Sequence, residues 1–232
     1  MPPIEPPDWL AAAVALVAPP ACVACRRPSR AGHPLCAACR ASLPWLDGPR
    51  CLRCALPAPC GARCPMAGSD VARAWAPLAF EGPARAVVHA LKFEGALALV
   101  GLMAAQMVAT APTGLLVEGA TLVAVPTPGR RRRRRGFDHA ARLAVAISER
   151  TGLPVSPCLR RAGPAPRQAG ARRRARLERG RVQVEVAGEV PPRVVLVDDV
   201  HTTGATLRAC ARKLSANRAL SITALTYARA LR

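Results

Sequence analysis

Two groups of side chains in this sequence have the types and spacing to do chemistry. The first is the stretch Arg193-Val-Val-Leu-Val-Asp-Asp-Val-His-Thr-Thr-Gly-Ala-Thr-Leu207. Asp198 and Asp199 bring two carboxylates that accept hydrogen bonds from vicinal sugar hydroxyls. Directly after them, Gly204 admits a backbone path closed to other residues, and Thr202, Thr203 and Thr206 add hydroxyls. Successive N–H groups ahead of a helix form an anion cradle. A ligand with a phosphate monoester at one end and a 2,3-diol at the other satisfies both halves. Capping of a helix needs one such acid or threonine; two acids, three threonines and a glycine in one turn exceed that need. The stretch is not a Walker loop, because it has no Gly-Lys-Thr.

The second group is cysteine. Eight of the ten fall between Cys22 and Cys64, in the order Cys22-x-x-Cys25, Cys36-x-x-Cys39, Cys51-x-x-Cys54 and Cys60-x-x-x-Cys64. A two-residue spacer lets two thiolates in a tight turn face one centre, as two vertices of a zinc tetrahedron. Four such pairs make two sites of four thiolates. Sequential pairing puts Cys22, Cys25, Cys36 and Cys39 on one zinc and Cys51, Cys54, Cys60 and Cys64 on the other; the spacing alone also admits an interleaved pairing. With every position filled by protein, both zincs are expected to be structural. The segment has few large apolar residues, so metal must supply much of its folding free energy. Disulfides are the competing reading, and a reducing compartment disfavours them. A thioredoxin-like role would need a surrounding βαβ unit that four tandem pairs lack. His33, Cys158 and Cys210 are read as loop and packing residues.

These groups need elements to hold them. Val194 to Val197 is a continuous apolar run, as in a buried parallel strand. Leu207, Cys210, Ala211 and Leu214 then recur at helical spacing, and Ile222, Ala224 and Thr226 alternate as a further strand. The result is a βαβ unit with the acidic pair and the Thr-Gly turn at the carboxyl end of its first strand, where open α/β sheets bind ligands. Strands are expected at Trp75 to Phe80 and Leu122 to Val125, and helices at Ala84 to Lys92, Ala96 to Thr110 and Ala140 to Ser148. Asp8 caps a short helix, Trp9 to Val17, ended by Pro19-Pro20.

Val-Val-Leu-Val-Asp-Asp-Val-His-Thr-Thr-Gly-Ala-Thr resembles the PRPP-binding signature of type I phosphoribosyltransferases, and the cysteine pairs ahead of it resemble the double zinc ribbon of the ComF family, the competence-associated group that includes GntX-like proteins. Ala90-Leu-Lys-Phe-Glu-Gly95, and Val123-Ala-Val-Pro126 followed by Arg135-Gly-Phe137, are similar to further motifs of that family. The resemblance runs from about Asp8 onward. It implies an α/β fold, a type I phosphoribosyltransferase-like parallel sheet flanked by helices, behind an N-terminal double zinc ribbon. It implies that Asp198 and Asp199 are the catalytic residues and hold the ribose diol. The turn Val200, His201, Thr202, Thr203, Gly204, Ala205 and Thr206 would take the 5-phosphate, with Lys92 and Arg135 near the pyrophosphate. Mg2+ would bridge pyrophosphate and ribose oxygens. Asp138-His139 stands where the family usually has Asn-Gln, and residues 160 to 181 also depart from its pattern. If turnover occurs, a nucleophile replaces pyrophosphate at C1 of PRPP. The general base is left open among His89, His139 and His201, and no nucleobase hood is legible.

The organisation that follows is an N-terminal helical segment over 1–21, a double zinc ribbon over 22–66 and a phosphoribosyltransferase-like domain over 71–232. Length agrees, since 232 residues suit one medium domain plus a small appendage. Thirty-four basic residues against 14 acidic ones leave a net charge of +20, which calls for a polyanion. Lys92 and Lys213 are the only lysines, so the other 32 cations are arginines. Between Arg130 and Arg181 seventeen arginines face Asp138, Glu149 and Glu178, a local excess of 17 − 3 = 14 charges. That exceeds what one PRPP neutralises, and it supports a nucleic-acid partner beside the small ligand. Aromatics are scarce, which disfavours a base-stacking groove. The apolar run Trp9 to Ala18 is too short to span a bilayer, and acidic Glu5 and Asp8 ahead of it argue against a secretory signal. A cytoplasmic location follows as the expectation. The resemblance extends the partners to single-stranded DNA and a competence-associated helicase. Three functions remain open: a phosphoribosyltransferase, a PRPP-binding protein without turnover serving DNA uptake, and a zinc-ribbon nucleic-acid module whose sheet is only scaffold.

Overall fold

The computed structural model describes residues 20–30, 32–60, 64–129, 136–162 and 182–231. The expected helix at Trp9 to Val17, the run Arg130 to Arg135 and the arginines of 163–181 lie outside the described residues.

The parallel sheet is built from strands β1 (Arg73–Trp75), β2 (Leu78–Ala79), β3 (Thr121–Ala124), β6 (Arg193–His201) and β7 (Ser221–Arg229). Their order is β1-β7-β6-β3, with β2 continuing the β1 edge along β7, and every pairing is parallel. Strands β4 (Leu159–Arg161) and β5 (Val184–Val186) form a separate antiparallel pair. The helices are α1 (Ala37–Ala41), α2 (Gly82–His89), α3 (Leu99–Thr110), α4 (His139–Thr151) and α5 (Ala205–Ser215), and a π-helical turn, Ala90–Glu94, continues α2. None of the described helices is long and apolar enough to cross a membrane.

The apolar run of β6 is buried on both faces, and its period of two sorts it. Val195 and Val197 join Leu122, Leu143, Ile147 and Leu225 in one apolar cluster. Val194 and Leu196 join Val123, Leu207, Leu214 and Ile222 in the other. α4 packs on β3 and β6 and carries α3, while α5 covers β7 and reaches β5. The fold expected from the sequence is therefore present, a mostly parallel sheet flanked by helices.

Strand β6 differs from the expectation in length. It runs on to His201, so the acidic pair lies inside the strand, its register with β7 continuing through Asp198↔Thr226 and His201↔Arg229. On the other side β3 stops at Ala124, opposite Val197. Among the described residues, 198–201 thus have no strand partner on the β3 side, just where the carboxylates begin.

The cysteine region is seated on the sheet. Leu46 N–H donates to Pro77 O (2.8 Å), Ala79 N–H to Pro44 O (2.8 Å) and Ala74 N–H to Leu52 O (2.7 Å). The Arg50 guanidinium lies 3.7 Å over the Trp75 ring. Cys22, Leu35 and Leu43 belong to the first apolar cluster, and Cys54, Cys64 and Met66 to the second. Both cores run from the cysteine region into the α/β body.

Candidate functional site

The two cysteine foursomes form by local turns. Cys22 and Cys51 each begin a turn in which an N–H beyond the second cysteine returns to the first: Arg26 N–H to Cys22 O (2.8 Å) and Ala55 N–H to Cys51 O (2.9 Å). Arg26 (φ 62°) and Ala55 (φ 57°) take the left-handed conformation that closes the turn, a cost of about 1–2 kcal/mol for a residue with a Cβ. Cys36 caps α1, its Sγ accepting from Cys39 N–H.

The sulfurs of Cys22, Cys25, Cys36 and Cys39 lie within 4.8 Å of one another, as do those of Cys51, Cys54, Cys60 and Cys64. Sulfur separations of 3.7 Å (Cys25 to Cys36), 3.9 Å (Cys51 to Cys64) and 3.8 Å (Cys54 to Cys60) match the edge of a tetrahedron with zinc–sulfur bonds of about 2.3 Å, which is about 3.8 Å. The residues fit zinc, and the pairing is sequential. Burial pushes the Cys54 thiol up to about 12. At Cys51 burial pushes the same way, but hydrogen bonds from Cys60 and from the Cys54 and Arg53 amides outweigh it and draw that thiol down to about 6. A cation is what allows all four to be thiolates together.

At the other end of the sheet, Lys92 Nζ donates to Asp199 Oδ1 at 2.8 Å. The π-helical turn directs that ammonium; such turns recur at functional sites. His139, the first residue of α4, brings Nε2 to 3.1 Å from Asp199 Oδ2 and 4.0 Å from Asp198 Oδ1. Asp138 holds α4 in place: its carboxylate accepts from the amides of Ala140 and Ala141 and from the Thr127 hydroxyl (3.1 Å), in the loop after β3. Asp199 is 3 % exposed and Asp198 16 %, so Asp198 is the carboxylate facing outward. Burial, reinforced by the Asp199 charge, holds the Asp198 carboxyl well above the usual carboxylate range, against the pull of the Asp199 amide and Lys92.

The turn that follows opens its first two hydroxyls to solvent. Thr202, Thr203 and Ala205 are exposed, and Val200 and Thr206 are half-buried. Gly204 is buried at φ 76° and caps α5. A Cβ there would stand 2.3 Å from Met66 Sδ and 2.9 Å from His201 Nε2. His201 is 1 % exposed, and neither ring nitrogen has a hydrogen-bond partner. Burial and the nearby Arg229 charge push it down to about 3, so it stays neutral.

Of the residues singled out from the sequence, the structure brings Lys92, Asp198 and Asp199 together beside the 202–206 turn; Arg135 lies outside the described residues. Of the three histidines, His139 joins the carboxylates, whereas His89 stacks on Phe93 and faces Glu94, and His201 is packed under Gly204. Asp138, Met66 and Arg229 were not singled out for this site. An arginine at the end of the apolar run Thr226-Tyr-Ala-Arg229 was the available signal for the last.

The model of the double zinc ribbon domain matches residues 13–67, the segment holding both foursomes. No curated protein matches the chain. The protein thus contains a double zinc ribbon with two four-cysteine sites, packed on a mixed α/β body whose central sheet is mostly parallel.

Proposed function

We propose that this is a PRPP-binding, phosphoribosyltransferase-like protein of the ComF kind, serving natural competence and DNA uptake. One observation carries the reading: Lys92, Asp199 and Asp198 meet at the open edge of a parallel strand, immediately before an exposed Thr202-Thr203 turn that leads into a helix. A sugar diol on Asp198 and a 5-phosphate on the amides and hydroxyls of 202–206 use both halves of that arrangement. Lys92 acts through Asp199, fixing the inner carboxylate so that the outer one is presented to the ribose. Mg2+ would be brought by PRPP, whose pyrophosphate oxygens are hard ligands suited to it, and would supply positive charge at the leaving group. In turnover an acceptor nucleophile would bond C1 and give up its proton as the C1–oxygen bond breaks, the electron pair of that bond leaving on pyrophosphate, whose charge nearby cations would stabilise.

Calorimetric titration of PRPP with MgCl2 into the full chain is the test, run beside a pyrophosphate-release assay. Binding that is lost in Asp198→Asn with Asp199→Asn supports the reading, and release of pyrophosphate adds enzyme activity to it. Absence of binding overturns it. The competence role predicts that the same double substitution abolishes natural transformation.

The charge of +20 favours a second reading, a nucleic-acid-binding zinc ribbon for which the sheet is scaffold. That reading requires binding of single-stranded DNA that weakens steeply with salt, unaffected by the aspartate substitutions.

A further inference from the structure

Arg229 ends β7 and is 1 % exposed. None of the ion pairs among the described residues includes it. Its donors go to backbone carbonyls of two separate structures. Nε donates to Cys54 O at 2.7 Å, and Nη1 to His201 O at 2.7 Å, to Thr202 O and to Ala230 O at 2.8 Å. Cys54 belongs to the second foursome, and His201 and Thr202 open the proposed phosphate turn.

Two consequences follow from elementary chemistry. In a trans peptide the C=O and the next N–H point in opposite directions. Holding the carbonyls of 201 and 202 on Arg229 therefore turns the amides of Thr202 and Thr203 away from it, onto the side that an anion can occupy. A buried guanidinium also needs a counter-charge. Four thiolates around one Zn2+ would carry a net charge of two negatives, and the guanidinium is tied to that foursome through the Cys54 carbonyl.

We infer that Arg229 is a positioning residue that couples the second zinc site to the 202–206 turn: metal bound by Cys51, Cys54, Cys60 and Cys64 fixes the turn in its anion-ready form, and loss of that metal releases it. Met66, which follows the last of these cysteines and fills the space beside Gly204, and Arg208, whose Nη1 donates to Pro65 O at 3.0 Å, lie along the same connection. The first zinc site has no comparable link among the described residues. Among the described residues it meets the other wall of the site through apolar packing of Cys22 in the first cluster and through the exposed pair Arg26–Glu94 (2.9 Å), of a kind that contributes little. The anion's identity rests on the function proposed above, but the coupling does not.

Amide hydrogen exchange on the full chain tests it, with zinc content measured for each sample. Cys60→Ser vacates the second site, Cys25→Ser the first, and Arg229→Lys keeps both zincs and the charge while losing the fork that spans two carbonyl groups. The expected result is exchange of the Ala230 and Arg208 amides, which donate to His201 O and Gly204 O, faster by roughly tenfold or more in Cys60→Ser and Arg229→Lys, with Cys25→Ser within about twofold of the parent and the 193–197 strand protected throughout. Equal protection of the turn in Arg229→Lys carrying two zincs overturns the coupling, as does equal opening in Cys25→Ser. If Cys60→Ser unfolds, exposed by exchange in 193–197, the Arg229→Lys comparison decides alone. PRPP titrated into the parent protein separates the two proposals: a turn that opens on loss of the second zinc in a protein blind to PRPP leaves the coupling standing and removes the proposed ligand.

Discussion

Lys92 Nζ stands 2.8 Å from Asp199 Oδ1 although 107 residues separate them in the chain. The pair joins the π-helical turn to the central strand, and it is nearly closed to water on the aspartate side. Lys92→Met leaves a buried carboxylate with only His139 beside it. A loss of about 3 kcal/mol in denaturant unfolding is expected, the low end of the range for breaking a buried pair because His139 remains. Adding Asp199→Asn recovers part of that loss, and the double-mutant cycle measures the coupling.

Two neighbours on β6 give opposite pH dependences. Asp198 has its folded pKa above the unfolded value, so it stabilises below about pH 4 and loses that contribution as pH rises through the folded pKa. Asp198→Asn is expected to raise the melting temperature at pH 7, by roughly 2–4 °C per kcal/mol, with the gain vanishing as pH falls to about 4. His201 has its folded pKa lowered to about 3, so its contribution is intact above the unfolded pKa of about 6.5 and is lost as pH falls through that window. Thermal melts of His201→Asn between those limits should show a shallower acid limb than the parent.

Gly204 combines a left-handed backbone with a full neighbourhood. Gly204→Ala costs about 1–2 kcal/mol for the conformation and a further 1–3 kcal/mol or so for overpacking against Met66. Adding Met66→Ala removes the Met66 clash but not the 2.9 Å approach to His201 Nε2, and the lost Met66 side chain itself costs about 2–5 kcal/mol, so a double-mutant cycle with Met66→Ala alone isolates the overpacking. Stability curves of both variants check this; under the function proposed above, PRPP affinity is expected to stay impaired in each, because the strained turn remains.

Elemental analysis should find two zincs per chain, falling to one in Cys25→Ser and in Cys60→Ser. Chelation of both lowers stability by several kcal/mol, in keeping with the roughly 10 kcal/mol or more that structural zinc gives small domains.

The zinc sites were legible because their geometry is local. A C-x-x-C turn closes within a few residues, and three of them with one C-x-x-x-C at these spacings leave two foursomes as the natural outcome. Strand β6 and helix α5 were legible for the same reason, through an uninterrupted apolar run followed by helical periodicity. The end of β6 was not: extended pairing with β7 carried the strand four residues beyond Val197, and no periodicity announces that. His139 was open among three histidines, because its choice depended on α4 packing against β6.

By itself, the sequence determined which residues can ligate metal, which strand leads into the carboxylates and where the Thr-Gly turn lies, all matters of neighbours within one turn or one strand. Tertiary structure alone decided that Lys92 is held by Asp199, that Asp198 is the carboxylate left facing outward, and that Arg229 joins the second zinc site to the 202–206 turn. Those relations link residues that are far apart in the chain. They exist because burying the sheet and the ribbon on shared cores brings charged groups inside, where each must find a partner.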